Sequence, residues 1–404
     1  MLGGHPAWGG PRDSAGLQRD CLGAWDLEPE GYGAGDRPLR DLVALNMTLR
    51  LCVGDYERLA ATFGGHEALC RASAADLAGP GRLGQRLAAD IPRLLRSTDP
   101  DEELHQAAER AVAVLPFTSP AYPALLRRIP EAPLVLYVQG QLEPADAVAI
   151  AIVGSRFPTH YGTSQAGRLA AELAARGMAV VSGLAQGIDT AAHRAALDAG
   201  GRTIAVLGSG IARLYPPENA LLADEVAAHG AVVSDFPLHT RPQAFTFPRR
   251  NRIVSGLALG VLVVEADKDS GALITADWAL AQGREVFALP GRVTDKRSRG
   301  CHLLIKQGAK LVETCDDVLE GLGEVGKALS PPRPRPKDAP LDLAAEQLAV
   351  YKTVGDDPTH IDAITEAVGL PPQQVASILM LLELKRAVTQ LPGKHFVRKA
   401  DQPE

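Results

Sequence analysis

The sequence is poor in aromatic residues, has no excess of positive charge and contains no long apolar run, and each shortage removes a class of function. Phe, Tyr and Trp together make up 4% of 404 residues, so any cluster of rings is a local feature. Lys plus Arg number 42 against 48 Asp plus Glu, a net charge of -6. That excludes a protein basic over its whole surface, and a polyanionic partner has to be met by a local patch. The longest apolar stretches, Val148 to Val153 and Leu257 to Val264, fall far short of the roughly 18 to 20 residues that span a bilayer, so no membrane role is expected. The first residues, MLGGHPAWGGPRDSAG, lack a basic region and a continuous apolar region. No secretory signal is read there, and a cytoplasmic location is expected. Cysteine is scarce: Cys21, Cys52, Cys70, Cys301 and Cys315 are odd in number and contain no C-x-x-C pair. Their spacing suggests neither a disulfide framework nor a metal site, and they read as small apolar residues. A P-loop and a G-x-S-x-G hydrolase elbow are also missing.

What is present is a globular composition, 46% hydrophobic and 22% charged, over a length that suits two or three domains. Residues 1–36 are rich in Gly and Asp and read as a flexible tail. Residues 37–115 carry Leu42, Leu45, Leu49, Leu87, Leu94 and Leu95 at three- and four-residue spacings, broken by Gly64-Gly65 and Gly79-Pro80-Gly81, and predict a small bundle of short helices. Residues 116–323 open with a Pro-rich lead-in. They then alternate Val- and Ile-rich runs (Val148 to Val153, Met178 to Val181, Thr203 to Leu207, Ala231 to Val233, Gly260 to Val264, Glu285 to Leu289) with Gly-containing turns and amphipathic helices. Near-continuous apolar strands are what burial on both faces requires, so the fold class is α/β, with a central Rossmann-like, doubly wound parallel sheet. Residues 324–340 contain SPPRPRPK and read as a Pro-rich linker. Residues 341–404 predict three helices and a hairpin turning at Pro392-Gly393, a winged helix.

In an open parallel sheet, ligands sit beyond the carboxyl ends of the strands, so the loops leaving those ends are the candidates. The first is Gly154-Ser155-Arg156: backbone N–H groups, a hydroxyl and a guanidinium at a helix start suit a phosphate, and equally Gly154 could only make the turn while Arg156 is solvated. In the second, Gly183 and Gly187 bracket a turn into a helix where Asp189 and His193 share one face. A cap and a packed histidine are the better reading there than a metal pair. The third, after Leu207, fails as a dinucleotide motif because Arg213 stands where the third glycine is needed. The fourth, Phe245 to Arg252, gathers Phe247, Arg249, Arg250, Asn251 and Arg252 at a helix start, so that guanidiniums meet phosphates and a ring meets a base; against this stand core phenylalanines and arginines paired to Glu265 or Asp267. The fifth adds Lys268, Ser270, Gly271 and Thr275, and the segment from Pro290 to Gly300 carries a net charge of +3. The C-terminal unit, by contrast, has a net charge of -3 from Leu341 to Glu404, and Gln373 to Leu384 contains no basic residue, which favours a protein contact over base reading.

Together these residues resemble the DNA-processing protein A (DprA) family. The carrying stretches are IVGSR at 152–156, VVSGLAQGID at 180–189 with His193, IAVLG at 204–208 with Tyr215-Pro216 and Asn219, FPRRNRI at 247–253, Val264-Glu265-Ala266 with Ser270-Gly271 and Thr275, and GREVFALPG at 283–291. The resemblance implies a non-enzymatic binder of single-stranded DNA, cytoplasmic and homodimeric, that engages the RecA recombinase. It further implies help in placing RecA on strands coated by SSB during natural transformation and homologous recombination. It carries the phosphate-binding role onto Gly154, Ser155, Arg156, Arg249, Arg250, Asn251 and Arg252, with Lys268 flanked by Asp267 and Asp269. It implies no cofactor and no metal. The small N-terminal domain of such proteins is sterile-alpha-motif-like or helix-hairpin-helix-like, but LCVGDY at 51–56 lacks the hairpin's Gly-x-Gly turn, so no strong DNA site is expected there. Two rivals remain. A nucleotide-cleaving enzyme would need a Pro-Gly-Gly-x-Gly-Thr loop where this chain has Pro290-Gly291-Arg292-Val293, and a transcription regulator would need a cationic winged helix.

Overall fold

The structure is a computed structural model, and it describes residues 37–329, 343–355, 357–385 and 387–398. The expected tail at 1–36 and most of the expected linker lie outside the described residues. A nine-stranded sheet forms the centre, in the order β1-β2-β6-β5-β4-β3-β7-β8-β9. Its strands are β1 (Val112–Pro116), β2 (Val135–Gly140), β3 (Ala149–Val153), β4 (Ala179–Ser182), β5 (Thr203–Val206), β6 (Ala231–Ser234), β7 (Gly260–Val263), β8 (Glu285–Ala288) and β9 (Lys310–Leu311). From β6 to β9 every pairing is parallel, while β1 and β2 add on antiparallel. The strands β3 to β7 are buried at every residue, as expected of a sheet covered on both faces. The chain builds outward from β3 through β4, β5 and β6, then crosses back so that β7 lies on the other side of β3. The loops leaving β3 and β7 therefore meet at the switch point, where such sheets hold ligands.

The six expected strands are present, and three more complete the sheet, of which β2 ends the Pro-rich lead-in. β1 falls inside the stretch read as helical, and the two-residue β9 carries no sequence pattern of its own. Among the described residues six helices precede β1: Arg37–Asn46, Val53–Phe63, His66–Arg71, Ala74–Ala78, Gln85–Ser97 and Pro100–Glu109. The last starts with Asp99, whose side chain accepts from the backbone N–H groups of Asp101 and Glu102, and Pro100 stands where its missing N–H costs nothing. These helices share one hydrophobic core with the sheet, in which Leu39, Leu45, Leu59 and Ile91 join Leu136, Val233 and Ile253. Polar bonds tie the two parts as well: Asn46 Nδ2 donates to the Asp235 carbonyl at 2.8 Å, and the Leu238 N–H to Glu103 Oε1 at 2.7 Å.

Residues 324–329, expected in the linker, begin with a helix, Glu324–Ala328, seated against Leu319. Beyond it stand helices Ala345–Thr353, Ile361–Val368 and Pro372–Leu384, with a sheet in the order β10 (Thr359–His360), β12 (His395–Arg398), β11 (Val388–Leu391). Val350, Ile364, Leu379, Leu382 and Phe396 form its own core. This is a winged helix. Among the described residues no single helix is long and apolar enough to cross a membrane.

Candidate nucleic-acid interface

The six loops leaving the carboxyl ends of β3 to β8 all open on one edge, because those strands run parallel. At the switch point the Gly154-Ser155-Arg156 loop leads into helix His160–Ala175. Thr159 caps that helix, accepting from the Gly162 N–H at 3.0 Å. The free amide beyond the cap is already taken: Glu265, at the end of β7, accepts from the Thr159 N–H at 2.9 Å and from its hydroxyl at 2.5 Å. A carboxylate of the protein thus stands at this helix terminus, beside the place where the loop is expected to meet a phosphate. Ser155 turns its hydroxyl to the Phe157 N–H at 3.1 Å, and Arg156 and Phe157 stand exposed beside it.

The four-residue basic motif divides. On helix Thr246–Gly256, Arg249 and Arg252 are three apart and share a face, where a single oxygen, Asp235 Oδ2, accepts from Arg249 Nε at 3.2 Å and Arg252 Nη2 at 2.8 Å. Asp235 is wholly buried. Burial pushes its carboxyl up, but Arg252 and Arg249 outweigh burial and hold it below the ordinary value of 3.8. Arg252 is 1% exposed and belongs to the interior. Arg249 keeps more of its side chain accessible and also donates to the Leu49 carbonyl from the N-terminal helices.

Arg250, turned about 100° around the helix, is buried too and donates to the carbonyls of Gly183 and Val206. Burial pulls it down to about 10, with Asp189 opposing and Arg156 adding to the shift, so it stays charged at neutral pH. Gly183 makes room for it, since a Cβ there would stand 2.6 Å from the guanidinium carbon. Gly187 has φ +83, and a Cβ there would lie 2.4 Å from the Ser155 carbonyl oxygen. Asn251 is 9% exposed and donates to the Gly271 carbonyl at 3.1 Å, fastening the motif to the next loop.

In that loop Lys268 is exposed, Ser270 caps helix Gly271–Ala281 by accepting from the Ala272 N–H, and Thr275 is 2% exposed within the packing. Of the expected residues, Arg156, Phe247, Arg249 and Lys268 reach the surface, with Ser155 and Ser270 partly accessible. Arg250, Arg252 and Thr275 do not, because each is spent on packing or on buried partners. His193 is packed, as read, but Asp189 does not cap its helix, since Gly187 stands at the cap and the carboxylate turns back to the preceding loop. Asp189 accepts from the Gly183 and Ala185 N–H groups, and His193 Nδ1 meets the Thr203 hydroxyl at 2.7 Å. Burial pushes His193 down to about 3.

Rings and cations gather over this buried frame. Phe247 lies 5.8 Å from the Tyr215 ring, and the Arg156 guanidinium sits 5.4 Å from the Phe247 centroid. Phe157, Tyr161, Tyr215 and Phe245 are the exposed aromatic side chains among the described residues, and all four stand on loops or helix starts of this edge. Arg297 Nε donates to the Phe157 carbonyl at 2.8 Å, drawing in a second basic loop. Arg292, Lys296 and Arg297, with Thr294 and two aspartates, line an open cavity of about 560 Å³. Phe157, Asp235 and Leu49 were missed in the sequence. Phe157 was within reach as a large ring just past a Gly-Ser-Arg turn, and Asp235 as a carboxylate that ends an all-buried strand.

A family description, DNA recombination-mediator protein A, matches residues 113–323, over half of the chain. The chain belongs to the DprA family. A second description, the DprA winged helix domain, matches residues 332–394. Protein Smf of Escherichia coli K12 is 44% identical over 285 residues, covering 69% of this chain and 76% of that protein. A putative DNA processing protein DprA of Mycobacterium tuberculosis is 43% identical over 272 residues, covering 66% and 69%. The crystal structure of DprA from Streptococcus pneumoniae overlays with a TM-score of 0.60 at 33% identity, covering 70% of this chain and 97% of that one. The parallel sheet with its loop edge is thus the DprA fold.

Proposed function

We propose that this DprA-family chain is a cytoplasmic, homodimeric mediator that binds single-stranded DNA and helps load RecA on SSB-coated strands during natural transformation and homologous recombination, without catalysis of its own. Family membership supports the DNA-processing role, and the observation that carries the preference for single strands is the Tyr215, Phe247 and Arg156 array on the loop edge. Bases in a duplex stack on one another, so protein rings at a loop edge are useful mainly to a strand whose bases are splayed. Arg156, Arg249, Lys268, Lys296 and Arg297 supply the phosphate contacts along the same edge, from which salt-dependent affinity follows. The winged helix fits a protein partner better than a groove: its helix Pro372–Leu384 exposes Met380, Leu381 and Leu384 and no cation.

Fluorescence anisotropy of matched single- and double-stranded oligonucleotides, at two salt concentrations with the full chain, tests the reading. Tighter, salt-sensitive binding of single strands is expected, and equal binding of duplex would overturn it. RecA loading is tested by RecA ATPase on SSB-coated strands, which the chain should accelerate.

A further inference from the structure

We propose that Asp41, His66 and Cys70 form a zinc site in the N-terminal helical unit, well away in the chain from the loops of the DNA edge. His66 and Cys70 are four apart on helix His66–Arg71 and so lie on one face, and Asp41 comes from helix Arg37–Asn46. His66 Nε2 stands 3.2 Å from Asp41 Oδ2 and 3.8 Å from Cys70 Sγ, and the three ligand atoms lie within 4.8 Å of one another. A tetrahedral zinc with bonds of about 2.0 to 2.3 Å sets its ligand atoms about 3.3 to 3.6 Å apart, so the three ligands draw together on binding, and the thiol, which lies 3.9 Å from Nδ1 as well, moves toward the Nε2 side of the ring.

The other ring nitrogen, Nδ1, meets the Tyr56 hydroxyl at 2.9 Å. That is the outer partner a metal-binding histidine uses to fix its tautomer with Nε2 facing the ion. Tyr56 is itself braced edge-on against Phe117, with centroids 5.3 Å apart. Without an ion, Asp41 ties the cluster together, bonded both to His66 and to the Cys70 thiol, so the three groups already converge on one carboxylate. Asp41 and His66 are 25% and 21% exposed, which leaves a path in and room for a water as fourth ligand. Arg37 Nε is 4.0 Å from Asp41 Oδ2, but Arg37 is 73% exposed and can swing clear.

One thiolate, one imidazole and one carboxylate suit zinc and not magnesium or calcium, which take oxygen ligands. On binding, the Cys70 S–H proton leaves to solvent and a zinc–sulfur bond takes its place. The ion would pin helix Arg37–Asn46, the helix that presents Asn46 to Asp235.

Titration of the metal-free full chain with Co²⁺, as a spectroscopic stand-in for zinc, tests the site. The expected result is saturation at a single equivalent with a thiolate-to-cobalt charge-transfer band and tetrahedral d–d absorption, both displaced by Zn²⁺. Cys70→Ser should abolish the charge-transfer band, Cys52→Ser should retain it, and Tyr56→Phe should weaken binding about 10- to 100-fold. A wild-type spectrum without the band, or a band that survives Cys70→Ser, would overturn the site.

Discussion

Two helices of this protein invert the usual relation between polarity and exposure. Thr246–Gly256 carries three arginines and an asparagine, yet eight of its eleven residues are buried. Pro372–Leu384 is built mostly of aliphatic residues, yet it exposes Met380 at 65% and Leu384 at 72%. The difference lies in what each helix meets. Asp235 and the carbonyls of Gly183 and Val206 receive the arginines, so their charge is compensated inside the protein. The aliphatic helix has more apolar surface than its small core consumes. A basic motif can therefore be a frame for a binding edge, with only some of its cations offered to a ligand.

The sharpest way to break that contrast is Asp235→Asn. It leaves the buried Arg252 with only a 3.9 Å contact to the half-exposed Glu131 and should cost about 3 to 5 kcal/mol in urea unfolding; a loss near zero would mean that Asp235 does not hold Arg252 in place. The same carboxylate sets a pH dependence. Its value is below 3.8 when folded, so its ionised form stabilises the protein above that pH and the stabilisation is lost as the pH falls through and below it. Asp235→Asn should lack this component of acid unfolding.

The next largest effect concerns binding. Phe247→Ala should weaken single-strand affinity by about 1 to 3 kcal/mol if one base stacks there, measured by anisotropy, with unchanged affinity removing the ring from the site. Arg156→Ala should lower the slope of log affinity against log salt by about 1 while leaving the unfolding midpoint in place. A lost midpoint with an unchanged slope would make Arg156 structural. The smallest effect is expected of Leu384→Glu, which should alter stability by no more than about 0.5 kcal/mol and leave single-strand affinity as it is. A large drop in affinity would move DNA onto the winged helix.

Much of the architecture is legible in the sequence because two-sided burial writes itself as Val- and Ile-rich runs, and each of the six runs read this way matches a strand to within a residue at either end. β1 is less legible because it has mixed burial and ends in Pro116, and β9 because two residues carry no period. At the site, the three-residue spacing of Arg249 and Arg252 reveals a shared face but not whether that face points inward. That depends on Asp235, which precedes Arg249 by fourteen residues in a loop of another element. Likewise, the search for cysteine pairs passes over His66 and Cys70, whose companion Asp41 lies on a different helix.

The shared core of the N-terminal helices and the sheet has a consequence for how the chain is made. Asn46 and its acceptor Asp235 are separated by 189 residues, and Glu103 and Leu238 by 135. The helices leave the ribosome first, but the strands and loops that complete their packing are translated much later. At about 5 to 20 residues per second, they wait on the order of ten to forty seconds with apolar faces uncovered. An early-made part of this protein is thus among the last to be finished, and its exposure to chaperones and proteases is set by the speed of translation.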